Sequence, residues 1–104
     1  MKVKETYQHW LPPKLGASAV TIGYTIFYAD TFDNVSLKLR RHEYKHIEQI
    51  QNLGIFWFYI NYFMQYITGR LQGLEHWDAY EKITFEVEAK NAESLRTRPW
   101  ENYN

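Results

Sequence analysis

The chain has no cysteine, no net charge and no long apolar run. Without cysteine it has neither a disulfide framework nor a thiolate metal site. Lysine plus arginine and aspartate plus glutamate number 12 each, so the clustered basic excess of a nucleic-acid-binding surface is missing. The most apolar stretch, 55–67, is shorter than the roughly 20 residues that cross a bilayer. We therefore expect no nucleic-acid partner and no transmembrane segment.

The amino terminus also lacks the apolar stretch of a signal peptide, because Met1 to Lys4 leads into polar residues. This pattern favours a cytoplasmic protein. The 104 residues are 45% hydrophobic and 18% aromatic, which is enough for one domain, 1–104, with a core filled largely by rings.

Residues His42 to His46 have the form H-E-x-x-H. On a helix, positions i and i+4 lie on one face a turn apart, so both imidazoles can reach one metal ion. Zinc with two histidines, a third protein ligand and an open position lowers the pKa of its bound water to about 7. Glu43 lies where its carboxylate can take a proton from that water. The motif predicts a hydrolytic Zn²⁺ site.

The alternative is a pair of ordinary helix histidines. Leu39, Ile50 and Leu53 share the motif's face at spacings of three and four. Polar side chains turned toward a core need partners, because an unpaired buried polar group is costly. A metal ion would supply them, which favours the zinc site.

Residue types before the motif predict a small sheet. Residues 1–18 are expected to be irregular, with the prolines of Trp10-Leu11-Pro12-Pro13 disfavouring helix. The β-branched and aromatic stretch 19–29 predicts strand, with Gly23 at a bulge or a tight turn. The free edge of this sheet would pair with an extended peptide and lay it across the zinc, or the strands would only cover the core.

Three helices are predicted after the sheet. The first carries the motif, over 36–53, and Gly54 follows its end. The second, 55–67, is expected to be mostly buried behind it; the alternative is a helix lying on a membrane surface or on a partner. The third runs over 80–98, and the aromatic tail 99–104 is expected to pack on the domain.

The third helix offers several candidates for the third metal ligand. Its glutamates are Glu81, Glu86, Glu88 and Glu93. With Phe85, Ala89, Ala92 and Leu95 as the buried face, a turn of about 100° per residue places Glu88 nearer that face than Glu86. Gln49, three residues beyond His46, would support the site or be an ordinary surface residue.

A family resemblance points to the other glutamate. Residues 41–49, Leu53-Gly54, Tyr80 and 85–89 together resemble the gluzincin metallopeptidases, above all their smallest single-domain members, the minigluzincins. In that family the third ligand is a glutamate on a helix downstream of H-E-x-x-H, often in an E-x-x-A setting. Counting back from Ala89 gives Glu86, with Glu88 as the alternative. The resemblance departs at Lys90, where relatives often have an acidic residue that braces a zinc-bound histidine.

The resemblance implies an α+β, zincin-like fold, with a small sheet or hairpin on three helices, the first carrying H-E-x-x-H. It implies a tyrosine, histidine or arginine that stabilises the oxyanion. Tyr80 is preferred over His76, although Tyr80 could equally be a core ring.

The expected function is a zinc-dependent peptidase that hydrolyses a peptide or protein substrate. It would be latent, as in a zymogen, if the tail 99–104 lies near the cleft. The alternatives are a metal-stabilised binding module with no turnover, and an interaction protein that acts through 55–67. A homo-oligomer is left open.

Overall fold

The computed structural model describes residues 2–103 as an α+β chain with one small sheet and several helices, which confirms the predicted class. The strands are β1 (Lys4–Thr6), β2 (Ala19–Ile22) and β3 (Thr25–Tyr28). The helices are α1 (Leu11–Lys14), α2 (Leu37–Leu53), α3 (Ile55–Leu71), α4 (His76–Glu81) and α5 (Thr84–Ala92). Short 3-10 turns lie at Phe32–Asn34 and Pro99–Asn102.

The sheet has the strand order β1-β3-β2, so β2 is an edge strand. β1 runs parallel to β3, and β2 runs antiparallel to it with Thr21 opposite Ile26. Gly23, at φ 59°, starts the two-residue turn between β2 and β3, a backbone conformation that glycine adopts without strain. The strands and the turn at Gly23 match the sequence-based prediction.

Helix α2 contributes apolar residues to the core and also carries buried polar residues that include part of the H-E-x-x-H motif. It begins after Ser36, whose side chain accepts the Leu39 N–H, and it ends at Gly54. Tyr44 and Ile47 on one face join the buried cluster completed by Val3, Ile26, Tyr28 and Trp100. Burial of each large apolar side chain contributes about 1.5–3 kcal/mol to stability. The polar residues Glu43, His46 and Gln49 are also buried; His46 and Gln49 contact α5, whereas Glu43 contacts β2.

Two sequence-based element predictions are wrong. The segment 1–18 is not irregular, since it contributes β1 and α1; the prolines lie at the first positions of α1, where a missing N–H costs nothing. H-E-x-x-H therefore lies on the second helix instead of the first. The predicted helix 80–98 covers only the last residues of α4 and all of α5, which are separated at the extended, buried residue Ile83, and α5 ends at Ala92. Gln65 then accepts the Thr84 N–H at the start of α5.

Helix α3 is longer and less buried than predicted. Gly69 lies inside it, where a side chain would come within 3.1 Å of the Ala79 Cβ, so the glycine permits close packing of α4. Phe58 is buried, but Phe56 and Phe63 on another face are 68% and 61% exposed. Among residues 2–103, no helix combines the length and the apolarity that a membrane span requires.

The aromatic tail packs on the core. The Arg40 guanidinium lies 4.2 Å from the centre of the buried Trp100 ring, and the Tyr103 hydroxyl donates to Gln51. Residues 99–103 do not line the cavity beside His46 and Glu86, so the expectation that the tail lies near the cleft is not met for them; Trp100 packs instead on Tyr44 of α2. Asn104 lies outside the described residues.

Candidate metal centre

Two histidines of α2 and one glutamate of α5 converge on a single point. The nitrogen and oxygen atoms that His42, His46 and Glu86 can offer lie within 4.8 Å of one another. His42 Nε2 is 2.9 Å from Glu86 Oε1, and His46 Nε2 is 3.1 Å from Glu86 Oε2. Ligands about 2.0–2.2 Å from a tetrahedral zinc lie about 3.3 Å apart, so three donors within 4.8 Å of one another could hold the ion after small side-chain movements.

Glu86 and not Glu88 faces the two imidazoles. Glu86 is 5% exposed, on the buried face of α5 with Ala89 and Ala92, whereas Glu88 is exposed. Periodicity favoured Glu88 because the buried face was located from apolar residues alone, whereas the buried residues of α5 are Glu86, Ala89 and Ala92. Leu95 lies beyond the end of α5 and is 52% exposed. The glutamate indicated by the family resemblance is the one that the structure brings to the histidines.

The outer nitrogens of both imidazoles also have partners. His42 Nδ1 lies 2.7 Å from Glu93 Oε2, and His46 Nδ1 lies 2.9 Å from Gln49 Oε1. The Gln49 amide in turn donates to the Phe85 carbonyl and to a Glu88 carboxylate oxygen. When Nδ1–H donates to these oxygens, Nε2 carries the lone pair that a metal needs.

Glu93 supplies a carboxylate to His42. The family resemblance would place the acidic residue that contacts a histidine at position 90. Lys90 is exposed, and the carboxylate that contacts His42 comes from the residue just after α5. The sequence prediction missed this role. The available signal was spacing, because seven residues are about two helical turns and place Glu93 on the same face as Glu86.

Glu43 points toward the sheet. It is 5% exposed, and its Oε1 accepts a hydrogen bond of 2.8 Å from the Thr21 hydroxyl on β2. The sequence prediction did not include Thr21, because its contact with Glu43 depends on how the sheet packs against α2. One lone pair of the carboxylate is thereby engaged, which fixes the direction of the other oxygen.

Two tyrosines lie beside Glu86, the third candidate ligand. The Tyr62 hydroxyl donates to Glu86 Oε2 at 2.6 Å, a contact that the sequence prediction missed. Tyr80 lines the adjoining cavity, and burial together with the Glu86 charge raises the pKa of its hydroxyl. A phenol held in its protonated form remains a hydrogen-bond donor. His76, the other candidate, lines the cavity too and bonds Tyr66 at 2.8 Å.

Charge in the metal-free centre is balanced by protons. Burial acts against the charged form of His42, but hydrogen bonds to Glu86 and Glu93 and the charge of Glu43 raise its pKa to about 9. Burial acts against the charged form of His46 as well, but hydrogen bonds to Glu86 and Gln49 and the charges of Glu43 and Glu86 raise its pKa. Burial opposes ionisation of Glu86 as well, yet hydrogen bonds from the two histidines hold its pKa well below the usual range. A divalent cation would replace those protons.

A cavity of about 360 Å³ opens beside two of the three candidate ligands, His46 and Glu86. Glu43, His46 and Glu86 form its polar end, and β2 forms one side. Its other lining residues are largely apolar or aromatic and include Leu15, Val20, Phe58, Tyr59 and Trp77. A cavity with few polar groups at one end suits a ligand that places one polar bond at that end and an apolar side chain in the rest.

The structure thus brings His42, His46, Glu86 and Glu43 together and places Tyr80 on the wall of the same cavity. The chemistry of the site is inferred from this geometry, since comparison with protein-family models, with curated proteins and with solved structures finds no match for the chain.

Proposed function

We propose that this chain is a zinc-dependent peptidase. The observation that carries the proposal is the convergence of two imidazoles and one carboxylate, with a second carboxylate, Glu43, directed at the same cavity. Structural zinc sites are closed by four protein ligands, whereas catalytic sites have three and an open position. Three candidate ligands, two of which line a cavity, favour the catalytic kind, in line with the gluzincin-like motifs in the sequence.

Each polar residue of the site has a role in the proposed peptide hydrolysis. Bound zinc would supply a Lewis acid and a water of lowered pKa. Glu43 accepts the proton of the attacking water and later passes it to the leaving amine, while Thr21 holds its carboxylate in place. Tyr80 donates a hydrogen bond to the oxygen on which negative charge develops. Glu93 and Gln49 keep the two imidazoles in the tautomer that binds metal.

The substrate proposed is a peptide in extended conformation. β2 is the edge of the sheet and lines the cavity, so its outward N–H and C=O groups can pair with a peptide backbone. The apolar cavity walls favour a large apolar side chain next to the bond that is cleaved.

A peptide library tests this proposal. The purified chain is stripped with a chelator, reloaded with one equivalent of Zn²⁺, and incubated with peptides of mixed sequence. We expect cleavage by the reloaded chain only, enriched next to large apolar residues. Equal cleavage by the stripped and the reloaded chain, or no cleavage by either, would contradict the proposal that the chain is a zinc-dependent peptidase.

The second candidate is an interaction module that acts through α3, favoured by an apolar face that the domain leaves exposed. The exposed side chains are Phe56, Trp57, Ile60, Phe63, Met64 and Leu71. They present roughly 700 Å², given about 150–250 Å² for a large side chain, close to the ~800 Å² per partner of a standard interface. The stretch 55–69 has no charged residue, so it lacks the basic residues that attract helices to anionic lipid. A second copy of the chain is therefore the partner proposed.

Sedimentation over a range of concentrations tests this second candidate. We expect wild type and a His42→Ala/His46→Ala variant to self-associate equally, and a Phe56→Ser/Phe63→Ser variant to remain monomeric. A wild-type chain that stays monomeric throughout, or binds neutral lipid vesicles as a monomer, would exclude self-association as the role of α3.

A further inference from the structure

The Tyr59 hydroxyl holds two backbone groups at one end of β2. It accepts the Gly23 N–H at 2.9 Å and donates to the Thr21 carbonyl at 3.1 Å. Tyr59 comes from α3, across the cavity from α2, and its ring lines that cavity. The Tyr59 hydroxyl thus forms two hydrogen bonds to backbone groups that a neighbouring strand would otherwise form.

Strand register shows that these groups belong to the free edge. The Ala29 N–H donates to the Ser18 carbonyl, so the backbone groups of Ser18 point at β3. In an antiparallel pair every second residue forms such hydrogen bonds, so the backbone groups of Val20 and Ile22 also point at β3. Ala19 and Thr21 therefore direct theirs away from β3. Within residues 2–103, the Ala19 N–H and C=O have no hydrogen-bond partner, whereas the Thr21 C=O is held by Tyr59.

This edge borders the proposed base, because the Thr21 side chain contacts Glu43. A peptide that pairs with β2 can use Ala19 and the Thr21 N–H without disturbing any described hydrogen bond. To continue toward Gly23 it must displace Tyr59 from two hydrogen bonds at once. Each bond lost lowers affinity by up to roughly tenfold, and the phenol is partly buried where water does not readily replace them.

We propose that Tyr59 ends the peptide-binding edge at Thr21, so that the site selects peptides with little chain beyond that point. This inference rests on the proposed peptidase function and names its substrate class: peptides that are short on one side of the cleaved bond. Tyr59 is a specificity-determining residue that acts through the two hydrogen bonds by which its hydroxyl engages the edge, not by taking part in the reaction.

The test uses nested peptides that share one cleavage site and are lengthened by one to four residues at either end. Wild type is compared with Tyr59→Phe, which keeps the ring and frees Thr21 and Gly23. Tyr103→Phe is the matched control, since it loses one surface hydrogen bond on the far side of α2. Zinc content and thermal unfolding are measured for all three, so that a folding defect is recognised.

We expect wild type and Tyr103→Phe to lose tenfold or more in kcat/KM when the peptide is lengthened at one end only, and Tyr59→Phe to accept both series equally. The same length profile in Tyr59→Phe as in wild type overturns the inference, as does a wild type that accepts both series equally.

A binding arm separates this inference from the proposed function. Affinities of the same peptides are measured on zinc-loaded Glu43→Gln and Glu43→Gln/Tyr59→Phe chains. A one-sided length preference in binding that Tyr59→Phe removes, without cleavage by wild type, supports Tyr59 as the end of the peptide-binding edge and overturns the peptidase. Cleavage without any length preference supports the peptidase and overturns the inference about Tyr59. If the peptides are neither bound nor cleaved, both the inference and the peptidase are overturned.

Discussion

Glu93 Oε2 lies 2.7 Å from His42 Nδ1, immediately beyond the helix that supplies Glu86 to the other nitrogen of the same ring. One imidazole is therefore held at both nitrogens by carboxylates from a single short segment. This relationship ties the orientation of His42 to the docking of α5 on α2, and it is the basis of the first prediction.

Replacing Glu93 with Gln should weaken zinc binding by about 10–100-fold, because the imidazole loses a charged partner that fixes its tautomer and raises its basicity. Zinc affinity is measured by competition with a chromogenic chelator. Glu81→Gln is the control, as Glu81 is an exposed residue at the end of α4. An affinity unchanged from wild type would remove Glu93 from the centre.

Replacing Glu43 with Gln should leave one zinc per chain bound and lower kcat by at least about 10²-fold, the lower range of what a positioned general base contributes. Glu48→Gln on the same helix breaks only an exposed ion pair with Lys45 and should retain full activity. Wild-type turnover by Glu43→Gln would show that another group takes the proton.

Replacing Thr21 with Val keeps the shape of the side chain but removes the hydroxyl that donates to Glu43. We expect kcat to fall by about tenfold, with KM and zinc content unchanged, since a net hydrogen bond to a charged group is worth about 1.5–3 kcal/mol. Thr68→Val, which loses a hydroxyl bond within α3, is the matched control. Equal losses in the two variants would mean that Thr21 does not position the base.

The pH dependence of the metal-free chain follows from His42. Its pKa is raised from 6.5 to about 9, so its stabilising contribution is fully present below about pH 6.5 and is lost as the pH rises through about 9. Glu86, with a lowered pKa, contributes stability above about pH 4.5 that is lost in acid. We expect Tm of the metal-free chain to fall between pH 6.5 and 9.

Zinc binding has the opposite pH dependence, because the ion binds neutral imidazoles and releases their protons. With zinc present, we therefore expect Tm to rise between pH 6.5 and 9 instead of falling. Apparent zinc affinity should rise by up to about tenfold per pH unit for each proton released over pH 6.5–9. Thermal unfolding with and without zinc at several pH values measures both trends. A zinc affinity independent of pH in this window would contradict the assignment of His42 as a ligand.

The local part of the site could be predicted from the sequence. His42, Glu43 and His46 lie within one helical turn, so their relative placement depends only on helix geometry. Periodicity failed for the third candidate ligand, because it locates a buried face from apolar residues and Glu86 is itself on the buried face of α5. The break at the buried residue Ile83 leaves no local signature in residue spacing.

The remaining contacts join distant parts of the chain. Thr21 reaches Glu43 across 22 positions, Tyr62 reaches Glu86 across 24, and Glu93 reaches His42 across 51. Such contacts depend on how sheet and helices dock, which residue type and spacing do not specify. The same holds for the tail, where Trp100 was expected to pack but its place beside Arg40 could not be foreseen.

Diffraction from zinc-soaked crystals on either side of the zinc absorption edge tests the central claim most directly. We expect one anomalous peak within about 2.2 Å of His42 Nε2, His46 Nε2 and a Glu86 carboxylate oxygen, with a water in the fourth position. A zinc bound elsewhere, or no peak between these three side chains at full zinc loading, would contradict the proposed metal centre.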